Sequence, residues 1–148
     1  MEVDEVYAAV GKVIVDAAFM EWTAAQLVAA LNGEDRSYAE NLCRRNRVMR
    51  ELKKATESDA ELHQLYTEIF DLRERRHELA HSVGTVASDG RGRRIFLYFR
   101  PPRDDEAADD KDDLTKYPSD MLGLASEMAA AITRAVRITQ ERSGASVV

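Results

Sequence analysis

The chain has 148 residues, 45% hydrophobic and 32% charged, which suits one globular domain with a single core and excludes a wholly disordered chain. Its formal net charge of −6 weighs against a general nucleic-acid binder, and the acidic start Met1-Glu2-Val3-Asp4-Glu5 argues against a signal or transit peptide. No apolar run of ~20 residues stands out as a bilayer span, and the lone Cys43 excludes an internal disulfide and a cysteine-rich zinc cage, so the expected setting is a reducing cytoplasm with no membrane partner.

The first predicted helix carries Val6, Val10, Val13, Ala17, Met20, Ala24, Leu27 and Leu31 at steps of four and three, and Gly33 supplies its stop. A second stripe runs beside it through Val3, Tyr7, Val10, Ile14, Ala17, Glu21, Ala24 and Val28, so this helix should meet more than one neighbour. Glu21 is the one charge in that stripe and needs a partner there. Ser37-x-x-Glu40 has the form of a capping box opening a second helix to about Ala55, with Tyr38, Leu42, Met49 and Leu52 as its apolar positions. Ser58-x-x-Glu61 opens the third, whose core face is Leu62, Leu65, Ile69, Leu72 and Leu79, with Arg76 standing inside that series. It should end near Ser82.

Val83-Gly84-Thr85-Val86 and Ile95-Phe96-Leu97-Tyr98-Phe99 flank a turn at Asp89-Gly90 and Gly92, which predicts a β-hairpin. Pro101-Pro102 ends it, and an acidic loop over about 103–117 follows. Seven acidic residues and one lysine between Asp104 and Asp113 account for the whole net charge. The rest is neutral overall, with basic clusters at Arg44, Arg45, Arg47, Arg50, Lys53 and Lys54, at Arg73, Arg75 and Arg76, and at Arg91, Arg93 and Arg94, which leaves a phosphate-bearing partner open. A last helix capped by Ser119 or Asp120 carries Leu122, Ala125, Ala129, Ile132 and Val136, and residues 143–148 form a frayed tail. The expected fold is all-α: a four-helix up-down bundle with a small β-hairpin inserted before the last helix, spanning 1–148 as one domain.

The run Arg75-Arg76-His77-Glu78-Leu79-Ala80-His81 admits three chemistries. As H-E-x-x-H, His77 and His81 would grip zinc while Glu78 activates water. Two adjacent arginines oppose a dication there, the extended motif fails at Ala87, and only Glu127 offers a third ligand. As R-x4-H, Arg76 would neutralise a phosphorane in bidentate fashion and His81 would move the proton, without metal. Five residues of helix rotate the chain by about 140°, so the pair converges only if the helix distorts or two protomers meet across a two-fold axis. As structure alone, the cations would offset the negative end of the helix dipole and Arg76 would pair with Glu21.

Arg76-His77-Glu78-Leu79-Ala80-His81, late on a helix of a four-helix arrangement, resembles the signature of the HEPN superfamily: arginine, a polar residue, three variable residues and histidine. Phe19-Met20-Glu21-Trp22 resembles, with altered spacing, an element on the first helix of small bacterial proteins of that neighbourhood. The resemblance implies a homodimeric, metal-independent endoribonuclease acting on RNA, of the kind found as toxins with a cognate antitoxin or in phage defence, with no cofactor and no metal. It implies that Arg76 stabilises the phosphate, His81 is the general acid/base, His77 orients Arg76 or the substrate, and Glu21 holds the arginine. The reading from another class is a non-catalytic helical homodimer that serves as a protein-interaction module.

Overall fold

In a computed structural model, the described residues are 2–81, 83–88, 90–99 and 113–143, and the side chains at 2–3, 81–87, 94–99, 113–116 and 143 also fall outside the description. Helix α1 (Glu2–Leu31) buries its first predicted stripe: Val6, Val13, Ala17, Met20, Ala24 and Leu27 are all enclosed. Gly33 ends it at φ 68, and the Glu34 amide donates to the Ala29 carbonyl, the left-handed cap that glycine adopts without strain. Between Asp4 and Leu31 this helix is long and apolar enough to cross a membrane by length and composition, which corrects the expectation from the sequence. Half of that window is buried inside the domain.

The expected second helix is two helices, α2 (Arg36–Arg44) and α3 (Val48–Thr56), so the domain has five rather than four among its described residues. Asn46 makes the break at φ 53, and the Arg47 amide donates to the Leu42 carbonyl, repeating the Gly33 cap with the side chain that best tolerates it after glycine. Neither predicted capping box is the cap. The Asp35 carboxylate accepts from the Tyr38 amide at 3.2 Å, and Asp59 accepts from the Glu61 and Leu62 amides at 3.1 and 3.2 Å. Ala39, Leu42, Val48 and Leu52 point from this pair into the core.

Helix α4 (Ala60–His81) ends where the sequence placed it, and buries Leu62, Leu65, Ile69, Leu72 and Leu79. Three strands follow, β1 (Val83–Ser88), β2 (Arg94–Phe99) and β3 (Asp113–Lys116), antiparallel in the order β1-β2-β3. Val83 pairs with Phe99 and Phe96 with Lys116. Residues 113–116 therefore extend the sheet, where the sequence suggested loop. The acidic stretch at 104–112 and the tail at 144–148 lie outside the described residues.

Helix α5 (Pro118–Ser143) closes the core with Met121, Leu124, Ala125, Met128, Ala131, Ala135 and Ile138. Ion pairs Asp59–Arg142, Glu68–Arg134 and Arg75–Glu127 join it to α4, and position rises along one helix as it falls along the other, so the two are antiparallel. Residues 5–12 of α1 face residues 118–122 of α5 across a shared hollow, so those two helices run parallel. The C-terminal half of α1 is enclosed by α2, α3, α4 and α5, whereas its N-terminal half leaves Tyr7, Val15 and Phe19 exposed.

Candidate active site

The last two turns of α4 set the motif. The helix is regular through His81, so the expected local distortion is not how Arg76 and His81 could meet. Their Cα positions stay about 140° apart around one helix. Arg76 lies on the core-facing stripe between Leu72 and Leu79, half-buried, and its Nε is sealed from solvent with no hydrogen-bond partner among the described residues. His77 and Glu78 lie on the outer side of the helix, His77 exposed and Glu78 half-buried. The side chain of His81 is outside the described residues.

Glu21 does not hold Arg76. Its Oε1 accepts from Arg73 Nε at 2.5 Å, one helical turn earlier, which corrects the expected pair. The helix rotation explains the exchange: Arg73 lies at the edge of the buried face, beside α1, while Arg76 points along its centre. Arg73 also donates from Nη2 to Asn46 Oδ1 at 3.1 Å, so one guanidinium ties α1, the α2–α3 turn and α4 together. Sequence reasoning missed this clamp. Asn46 within Arg44-Arg45-Asn46-Arg47 was its available signal, because asparagine favours a left-handed break.

Arg75 donates to Glu127 at 3.0 Å, so the carboxylate considered as a third zinc ligand is taken by a cation. Among the described residues no three His, Cys, Asp or Glu side chains gather as a metal site. Two of the three motif arginines thus have anionic partners, and Arg76 differs from both in its buried, unmatched donor.

Cys43 is exposed rather than packed as a small apolar group. Partial burial of its thiol, and then the charge of Glu21, raise its pKa above the usual value and disfavour the thiolate. Trp22 is half-buried beneath the Arg36 guanidinium, 5.5 Å from the ring centroid. His63, expected at the surface, is half-buried with its ring 5.4 Å from that of Tyr66.

No family model, no curated protein and no solved structure matches this chain.

Proposed function

We propose that this protein is a HEPN-like, metal-independent endoribonuclease that acts as a homodimer in the cytoplasm. The observation that supports this most is Arg76: a guanidinium on the apolar face of α4, with a buried Nε lacking a partner among the described residues. Such a donor costs about 1–3 kcal/mol, and strained or unsatisfied groups concentrate at functional sites. On this reading the bundle of α1, the α2–α3 pair, α4 and α5, with the hairpin before α5, is the scaffold. Because α4 stays regular, Arg76 of one protomer works with His81 of the other. Arg76 neutralises the in-line phosphorane, and His81 takes the 2′-hydroxyl proton and returns one to the leaving 5′-oxygen. The products are a 2′,3′-cyclic phosphate and a 5′-hydroxyl. His77 borders the site and positions substrate or the partner's arginine, and Glu21 acts at one remove by fixing Arg73. Restraint by an antitoxin, or deployment in phage defence, belongs to the same proposal.

The test is cleavage of a mixed single-stranded RNA pool in EDTA. The reading expects 2′,3′-cyclic ends, loss of activity in His81→Ala, and loss of most activity in Arg76→Lys, which keeps the charge without the planar fork. A folded wild-type protein that leaves RNA intact would favour the second reading, a non-catalytic interaction module, which the exposed Tyr7, Val15 and Phe19 of α1 support independently.

A further inference from the structure

Helix α1 carries a face that no other element covers. At about 100° per residue, Tyr7, Gly11, Val15 and Ala18 fall within one narrow stripe opposite the core, and Phe19 flanks it. Tyr7 is 61% exposed, Val15 65% and Phe19 49%, and Gly11 and Ala18 are also exposed. Beside the stripe, on the flank that carries Phe19, lies the hollow between α1 and α5. It measures about 450 Å³, is lined by Ala8, Ala9, Lys12, Pro118 and Leu122 among others, and Leu122 is left 45% exposed at its rim.

We infer that this face binds a second copy of itself, antiparallel, with the two-fold axis passing between Ile14 and Val15. The dimer rests on the function proposed above, whereas the surface and its register are new. Three features give the same register. The small residues Gly11 and Ala18 fall opposite one another, which lets the helix backbones approach. Lys12 and Asp16, joined within one chain at 3.0 Å, lie on one edge of the stripe, and the two-fold sets each lysine against the partner's aspartate. The partner's Phe19 arrives level with residue 10, over the hollow of Ala8, Lys12 and Leu122. A two-fold perpendicular to the helices keeps each flank opposite its own copy, so the aromatic knob and its hollow fall on the same side. A helix face complementary to itself in shape and charge fits another copy better than an unrelated partner.

The same axis bears on the motif. Glu21 meets Arg73, and α1 runs antiparallel to α4, so His81 lies level with about residue 13 of α1, close to the dyad. The two α4 ends then stand on one side of the paired α1 helices, where each can complete the other.

Light scattering at tens of micromolar, on the full chain in a Cys43→Ser background, should give twice the chain mass. Val15→Glu and Phe19→Glu should each give a folded monomer by circular dichroism, since both residues are exposed. A double variant Phe19→Cys with Leu122→Cys should form an interchain disulfide on oxidation, and either single variant should not. Within one chain the two sites are about eleven residues apart along the helix axis, roughly 16 Å, beyond the ~7 Å that a disulfide spans. A monomeric wild type, a dimer that survives both glutamates, or absence of the crosslink would overturn the inference. So would a monomer that sediments with phosphatidylglycerol vesicles through Val15, which would make the face a membrane contact. A stable dimer that leaves RNA uncut removes the enzyme and keeps the interface; RNA cleavage by a monomer does the reverse.

Discussion

Replacing Arg76 by methionine should stabilise the fold while abolishing the proposed reaction. The Nε is sealed within the Leu72–Leu79 stripe and lacks a partner among the described residues. An unmatched buried donor costs about 1–3 kcal/mol. Methionine has an unbranched stem of similar reach and fills that stripe without a donor, and a flexible thioether adapts to an irregular space. The net gain should be about 1–2 kcal/mol, which corresponds to roughly 2–8 °C in Tm for a domain of this size. Paired urea and calorimetric unfolding of wild type and Arg76→Met would measure it, with dimer mass checked so that assembly does not enter the comparison. An arginine kept for function predicts a more stable, inactive variant. Destabilisation by more than about 1 kcal/mol would show that Arg76 holds the bundle together, and would remove the main support for a catalytic role.

The clamp at Arg73 should behave in the opposite way: Arg73→Met strands Glu21 and frees Asn46, and should cost about 1–3 kcal/mol in chemical denaturation. Asn46→Gly keeps the left-handed turn and loses only the Arg73 contact, whereas Asn46→Val strains the backbone at φ 53 and should unfold at distinctly lower urea. Ile69→Ala, at a fully enclosed site, should cost about 2–5 kcal/mol in the same assay. With its pKa raised, Cys43 should react with iodoacetamide more slowly at pH 8 than an open thiol. Glu21→Gln removes one of the two causes and should speed it, with the difference fading below pH 7 where little thiolate forms in either protein. Glu78→Gln should leave RNA cleavage nearly unchanged, and a variant that loses activity would point back to a zinc hydrolase.

The long helices were legible because their apolar period is regular. Val6 to Leu27 and Leu62 to Leu79 are buried as their spacing requires. The α2–α3 break was not, because the residues that signal it also read as a helix face: Leu42 to Met49 spans seven residues, a plausible two-turn step, and only Asn46 between arginines marks the reversal. The capping boxes misled for a related reason. Asp35 and Asp59 precede Arg36 and Ala60 directly, and an aspartate at the boundary outcompetes a serine further along for the free amides. In the candidate site, the sequence marked Glu21 as a charge needing an arginine. It did not select Arg73 over Arg76, because that choice turns on 60° of helix rotation relative to α1, which only tertiary packing sets. The covered and open halves of α1 carry similar apolar residues, so the exposed Tyr7–Phe19 face emerged only once its neighbours were placed.

The central claim is that Arg76 of one copy works with His81 of the other, and complementation between dead variants tests it most directly. Arg76→Met and His81→Ala should each be inactive alone. Mixed and exchanged to equilibrium, half of the dimers are hybrids, and each hybrid holds one intact site built from both chains, so roughly a quarter of wild-type RNA cleavage should return. A mixture as inactive as its parents, with hybrid formation shown by mass, would contradict the account.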